Sequence, residues 1–99
     1  MTTPSLPTTA CVDRLKLLAD PTRLAIVRLL TDGPMIVKDI NEHLAMEQNL
    51  LSHHLKVLRE GGLLESERQG KAVAYRLTKG VHNATEGDAI DLGCCKLSF

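Results

Sequence analysis

One stretch, residues 47–77, limits the fold of this chain more than any other. Its first half, EQNLLSHHLKVLRE, has core-type residues at the spacing i, i+3, i+4 and i+7, which predicts a helix with one buried face. These residues are Leu51, His54, Leu55 and Leu58. Gly61-Gly62 ends the helix, and LLESER and AVAYRL then alternate as strands around QGK, whose glycine supplies a hairpin turn. A helix that leads directly into a β-hairpin is therefore expected.

Three further helices are predicted before this stretch. The first begins at Thr8 or Thr9, either of which can cap it. The second begins at Asp20-Pro21, an acidic N-cap followed by proline, and is apolar around most of its circumference, which indicates a central position. The apolar faces of the first and third helices are predicted to contain Cys11, Leu15 and Leu18, and Ile36, Ile40 and Leu44, respectively.

The predicted order is four helices and then a hairpin, so the fold class is mainly α with a small β-hairpin. Two helices joined by a short turn and followed by a hairpin indicate a winged helix-turn-helix. The predicted domains are a flexible N-terminal arm (1–8), a winged helix (9–78) and a C-terminal segment (79–99). For the C-terminal segment we expect a short helical turn or loop and then an irregular or extended tail.

The polar face of the fourth helix and the tip of the hairpin have side chains suited to DNA. Asn and Gln pair with adenine, Ser and His donate or accept hydrogen bonds, and Lys and Arg hold phosphate or guanine. The candidate DNA-binding residues are Gln48, Asn49, Ser52, His53, Lys56 and Arg59 on the helix, and Arg68, Gln69 and Lys71 on the hairpin.

Charge and composition narrow the function class. The 99 residues have a net charge of zero, and residues 47–79 carry an excess of only +2, which argues against a general polyanion binder. The chain is 43% hydrophobic without a run long enough to span a membrane, and without an export signal we expect the cytoplasm. No nucleophile–base pair, phosphate-binding glycine loop or carboxylate pair stands out, so we expect no enzyme and no organic cofactor.

The runs LADPTRLAIVRLL and SHHLKVLREGGLLESERQGKAVAYRL resemble the ArsR/SmtB family of small bacterial repressors. That family typically has L-x-D/N-P-x-R-L-x-I-L-x-x-L, S-x-H-L-x-x-L-x-x-x-G-L and a wing ending in Y-x-L, and each pattern stands here at the expected separation. The resemblance covers residues 12–77. It implies a homodimer that binds double-stranded operator DNA and releases it when an inducer binds, often a metal ion or metalloid.

Two inducer sites known in the family are missing here. The arsenic site before the recognition helix resembles C-V-C, but Ile36 and Lys38 stand where thiols would be needed. The zinc-type site resembles D-x-H with further His and acidic ligands, but the matching stretch begins Lys79-Gly80-Val81 and has no such series. His82, one step along, is expected to be a surface histidine. An inducer would therefore need a different site.

The three cysteines are the candidate ligands for that site. Thiolates select soft ions, so the hypothesis is that Cys11, Cys94 and Cys95 bind As(III) as free thiols, with Sb(III), Cd, Pb, Hg and Zn as other candidate ions. Some family members are similar in placing paired cysteines near the C-terminus for trivalent arsenic. In that family the first helix and the C-terminal segment both build the dimer interface, so the resemblance implies that Cys11 can meet Cys94 and Cys95 within one subunit or across the dyad.

Two alternatives remain open at this point. A redox- or sulfide-responsive repressor would use the same cysteines, with Cys11 bridged to a tail cysteine by oxidation. An interaction module that has kept the fold and lost its operator would also fit the weak charge balance. Inducer chemistry separates the first alternative from a metalloid sensor, and sequence-selective, salt-sensitive DNA binding excludes the second.

Overall fold

The computed structural model describes residues 8–83 and 89–99, with the side chains of residues 82 and 83 excluded. The predicted flexible arm lies outside these residues, except for Thr8, at which the first helix begins. The helices in this part are α1 (Thr8–Leu18), α2 (Pro21–Leu30), α3 (Val37–Leu44) and α4 (Gln48–Glu60). The strands are β1 (Met35–Ile36), β2 (Leu64–Gln69), β3 (Ala72–Leu77), β4 (His82–Asn83), β5 (Ala89–Asp91) and β6 (Lys96–Leu97).

The start of α2 is capped as predicted. Asp20 has extended backbone angles, and its Oδ1 accepts the backbone N–H groups of Thr22 at 2.8 Å and Arg23 at 3.0 Å. These two donors have no partner inside the helix, so the carboxylate satisfies groups that would otherwise need water. Pro21 stands at the first helical position, where its missing N–H costs nothing.

The turn between α3 and α4 is held by one asparagine. The Asn41 side chain accepts the N–H of Met46 at 2.9 Å through Oδ1 and donates to the Met46 carbonyl at 3.1 Å through Nδ2. Ala45 takes the left-handed conformation, with φ 50°, that ends α3. Glu47 then caps α4, accepting the N–H groups of Asn49 and Leu50 at 3.0 and 2.9 Å. This turn sets the orientation of α4 relative to α3.

The hairpin strands β2 and β3 belong to a three-stranded antiparallel sheet with the order β1-β3-β2, in which β3 is central. Gln69 pairs with Ala72, so Gly70 and Lys71 alone form the turn, and Gly70 has the positive φ of 64° that such a turn favours. Ile36 was predicted on the apolar face of the third helix. It lies instead in β1, where it pairs with Ala74 of β3. The strand pairing satisfies the Ile36 backbone, and α3 begins one residue later.

The C-terminal segment, predicted as a short helical turn or loop and then an irregular or extended tail, has extended strands in its described residues. Strands β4, β5 and β6 form a second antiparallel sheet in that order. Ile90 and Leu92 are fully buried in the same apolar cluster as the helices, although the three glycines of residues 79–93 weaken any periodic signal there. Burial against the rest of the domain therefore decides the structure of this segment, whereas local propensity does not.

One apolar cluster contains side chains from α1 and from the C-terminal segment as well as from the central elements. Its least exposed side chains come from α2, α3, α4, the hairpin and the C-terminal segment: Ile26, Val27, Ile40, Leu51, Leu55, Leu58, Leu63, Ile90 and Leu92. Leu15 was predicted to share the buried face of α1 but is 39% exposed, and the neighbouring Val12 is 41% exposed. None of the helices in the described ranges is long and apolar enough to cross a membrane.

Candidate DNA interface and thiol centre

The outer face of α4 carries the predicted DNA-reading side chains in exposed positions. The inner face is buried by Leu51, His54, Leu55 and Leu58, as the spacing predicted. Because successive residues of a helix are separated by about 100°, most of the remaining positions lie on the other side of α4, and there they are exposed. The exposed residues include all six helix candidates: Gln48, Asn49, Ser52, His53, Lys56 and Arg59.

The hairpin presents cations at its tip and pairs its charges nearer the base. Arg76 lies 3.1 Å from Glu67 and 3.7 Å from Glu65, so its charge is matched within the sheet. The tip residues Arg68, Gln69 and Lys71 are exposed. The positive charge of the hairpin is therefore concentrated at its tip. The net charge of +2 for residues 47–79 does not reveal this distribution.

His54 lies on the buried face of α4. Its side chain is 8% exposed, and its Nδ1 has no hydrogen-bond partner among the described residues. Asp20 is the nearby acidic group, and its pKa is lowered mainly by the hydrogen bond from the Arg23 backbone, with further contributions from the Thr22 backbone and the Arg23 charge. His54 is thus a core residue, as predicted, while His53 faces outward.

The three cysteines converge within one chain. Their sulfur atoms all lie within 4.8 Å of one another, although Cys11 is in α1 and the other two follow β5. The Sγ atoms of Cys94 and Cys95 are 3.9 Å apart. Cys11 is nearly buried, Cys94 is half-buried and Cys95 is exposed, so the cluster opens to solvent on one side.

A tight turn holds the tail cysteines in place. The Leu92 N–H donates to the Cys95 carbonyl at 2.9 Å, and the Gly93 N–H donates to Asp91 Oδ1 at 2.8 Å. Gly93 has a φ of 92°, which an L side chain rarely adopts, so the glycine allows the turn. Arg14 Nη1 donates to the Leu92 carbonyl at 3.2 Å and ties this turn to α1. Sequence patterns missed this contact; the only signal was that Arg14 lies one helical turn after Cys11.

Two of the thiols are not free in this structure, which corrects that expectation. Cys11 and Cys94 form a disulfide with a Cα–Cα distance of 6.1 Å, inside the usual range for such bonds, and Cys95 stays free. The bond forms because α1 and the tail pack together, a proximity that a separation of 83 residues conceals. It is the pairing of Cys11 with a tail cysteine that the redox alternative requires.

The sulfur positions also fit a shared soft ion once that bond is reduced. Two thiolates about 2.3 Å from one ion at a tetrahedral angle are about 3.8 Å apart. The Cys94–Cys95 separation of 3.9 Å already matches this spacing. To bind the same ion, Cys11 Sγ would have to move away from Cys94 Sγ and remain within the cluster. Cys11 lies in the first turn of α1.

Comparisons with known proteins agree with this architecture. A family profile described as a helix-turn-helix domain matches residues 18–67. The arsenical resistance operon repressor of Escherichia coli is 47% identical over 68 residues, covering 68% of this chain and 58% of the repressor. HlyU from Vibrio cholerae has a TM-score of 0.73 and 31% identity, covering 79% of this chain and 85% of HlyU. A homodimeric winged helix-turn-helix DNA-binding domain from Mycobacterium bovis has a TM-score of 0.65 and 33% identity. The match covers 70% of this chain and 64% of that domain.

The fold, the exposed α4 face and these matches define a winged helix-turn-helix protein. More narrowly, the chain belongs to the ArsR/SmtB family, and the relatives that it matches are named as transcriptional regulators or repressors. The chain spans about half the length of the curated relatives it matches.

Proposed function

We propose that this chain is a homodimeric, cytoplasmic repressor that binds double-stranded operator DNA and leaves it when a thiophilic metalloid, As(III), binds Cys11, Cys94 and Cys95. The observation that carries the proposal is the convergence of three sulfur atoms from opposite ends of the chain within 4.8 Å. Sb(III), Cd, Pb, Hg and Zn share the preference for thiolates and are the competing inducers.

The DNA-binding part rests on α4 and the hairpin tip. Exposed amide, hydroxyl and imidazole side chains on α4 suit base edges, and Arg68 and Lys71 suit phosphates. Two copies related by a twofold axis would place two α4 helices in successive major grooves. The expected operator is therefore a palindrome with half-sites about one helical turn apart.

The coupling between the two sites runs through α1. Val12 and Leu15 form an exposed apolar stripe on the same helix as Cys11, and a second copy of the chain would cover it. An ion held by Cys11 and the tail cysteines would fix the position of α1 against the C-terminal segment and so set the angle between the two subunits. A small change in that angle moves both α4 helices out of register with their half-sites.

The test is a fluorescence-anisotropy titration of labelled DNA from upstream of the chain's own gene by the reduced protein, followed by arsenite. Release at one arsenite per subunit is expected, and Mg²⁺ should have no effect because thiolates bind it poorly. The variant Cys95→Ser removes one ligand and leaves the Cys11–Cys94 pair intact, so it should need much more arsenite for release. Release of this variant at the wild-type arsenite concentration would contradict the proposed ligand set.

The DNA interface has its own matched pair of variants. Lys56→Ala removes an exposed lysine from α4, and Lys16→Ala removes one from α1. Only Lys56→Ala should weaken binding, with a salt slope smaller by about one unit if the lysine contacts phosphate. Equal effects of the two variants, or no difference between operator and unrelated DNA, would favour the interaction module that does not bind DNA.

A second candidate is a redox-responsive repressor, and the Cys11–Cys94 disulfide is the observation that favours it. Peroxide would oxidise the two thiols to this disulfide and yield two water molecules, and the bond would tie α1 to the tail as the metalloid does. In this case peroxide releases DNA from the wild type and from Cys95→Ser alike, whereas arsenite releases it from neither. The two inducers applied to the same two proteins therefore separate the candidates.

A further inference from the structure

A cavity of about 280 Å³ lies between α1, the end of β3 and the turn after β5. Its lining includes Arg14, Thr78, Lys79, Asp91 and Gly93. This volume is just below the range of about 300–1,000 Å³ that is typical of ligand pockets, so the cavity suits only a small molecule. The residues described so far as DNA-reading side chains or as thiol ligands do not include these five.

The polar groups of the cavity favour an anion. Arg14 uses Nη1 for the Leu92 carbonyl, which leaves other guanidinium N–H groups for a carboxylate. Lys79 is exposed, and no ion pair of Arg14 or Lys79 is found within residues 8–83 and 89–99. Thr78 Oγ1 is buried without a hydrogen-bond partner. Asp91 opposes the two cations, but its Oδ1 already accepts the Gly93 N–H.

The cavity is lined by residues from both segments that carry the disulfide, α1 and the turn after β5. Arg14 follows Cys11 by one helical turn, and Gly93 directly precedes Cys94. Cys94 is the more accessible sulfur of the bonded pair, since Cys11 is only 9% exposed. A ligand anchored by a carboxylate at Arg14 and Lys79 would therefore have its other end near Cys94.

We propose that this cavity binds the carboxylate of a low-molecular-weight monothiol, which then reduces the Cys11–Cys94 bond. The thiolate of the ligand attacks Cys94 Sγ, a mixed disulfide forms, and Cys11 leaves as a thiolate beside the Arg14 charge. A second thiolate attacks the ligand sulfur of the mixed disulfide and releases Cys94. Two monothiols are oxidised to one small disulfide, and the protein disulfide is reduced to two thiols.

This inference rests on the proposed function in one respect: reduction is the step that frees Cys11 and Cys94 for a metalloid. The cellular thiol pool would then decide whether the metalloid site exists. The reduction itself involves neither arsenite nor DNA. A failure of arsenite release and a failure of anionic-thiol selectivity are consequently separate results.

The test compares 3-mercaptopropionate with its neutral methyl ester as reductants of the full-length oxidised chain. Reduction is followed by acid quenching, alkylation and mass measurement, and each rate is divided by that of the same thiol on a small linear disulfide. This division removes the difference in intrinsic thiol reactivity. The expected normalised rate is about threefold to tenfold higher for the acid than for the ester, as for one charge interaction at the protein surface.

Variants with matched charge changes identify the site. Arg14→Gln and Lys79→Gln should each reduce the preference for the acid, and Asp91→Asn should increase it. Lys71→Gln removes one positive charge at the distant hairpin tip and should leave the preference unchanged. If the cation variants change the preference no more than Lys71→Gln does, the proposed site is wrong.

A competitor separates a binding site from a general electrostatic field. Propionate has the same carboxylate without the thiol, so at high concentration it should slow reduction by 3-mercaptopropionate and leave reduction by the ester unchanged. Sodium chloride at the same ionic strength is the control, because salt screens a diffuse field equally for both anions. Equal effects of propionate and chloride, or equal normalised rates of acid and ester, would overturn the proposal.

Discussion

Reduction of the Cys11–Cys94 bond is expected to lower the free energy of unfolding by up to about 4.5 kcal/mol. The bond joins cysteines that are 83 residues apart, so it constrains most of the unfolded chain. For a loop of that length the chain-entropy relation gives about 15 cal/mol/K, or about 4.5 kcal/mol at 25 °C. This is a large share of the stability that a domain of this size has.

Urea unfolding of the oxidised and reduced protein, at one protein concentration, measures this difference. A slope of about 2 kcal/mol per molar urea converts it to a midpoint shift of about 2 M. Cys95→Ser should keep the shift, because Cys95 is outside the bond. Cys94→Ser should unfold near the reduced midpoint under both conditions. Equal midpoints for oxidised and reduced wild type would refute the loop-entropy reasoning.

The same assay tests the metalloid site without DNA. Arsenite bound by Cys11 and the tail pair closes the same loop as the disulfide. It should therefore raise the urea midpoint of the reduced protein most of the way to that of the oxidised protein. The gain should grow with arsenite concentration, since a ligand that binds only the folded state stabilises it by mass action.

Two further predictions concern the fold that supports the interface. Leu55→Ala removes a side chain that is 1% exposed at the centre of the core, and a loss of about 2–5 kcal/mol is expected by chemical denaturation; a loss under about 1 kcal/mol would mean that α4 is not packed as described. Asp20 has a lowered pKa because it accepts the Arg23 backbone N–H, so its charged form stabilises the fold above the unfolded-state pKa, and this contribution is lost as the pH falls through the folded-state pKa. The difference in melting temperature between wild type and Asp20→Asn should therefore shrink in acid, and a difference that stays constant with pH would contradict this linkage.

Local patterns were sufficient for the helices and the hairpin. An acid before a proline places the start of α2, because both residues act within the first turn of the helix. The buried face of α4 follows from its spacing, since a helix with one apolar stripe must turn that stripe toward the core. The glycine between the two alternating strands likewise places the hairpin turn within one residue.

Packing overruled two local patterns. The spacing on α1 placed Leu15 with Cys11 and Leu18, yet Leu15 is exposed because no element of the described chain covers that part of the helix. Ile36 fitted the apolar repeat of α3, but pairing with Ala74 drew it into a strand. Periodicity states which residues share a face and does not state what lies against that face.

The sequence by itself determined that the chain has an α4 helix with a polar outer face, a charged hairpin tip and three cysteines. It did not determine the distances between their sulfur atoms. Only the tertiary structure decided that the thiols meet, since Ile90 and Leu92 bury the C-terminal segment against the core and bring Cys94 to Cys11. The physical reason is the range of the forces involved. Helix and turn signals act over a few residues, whereas the contact across 83 residues exists because apolar burial of many side chains outweighs the entropy of closing so long a loop.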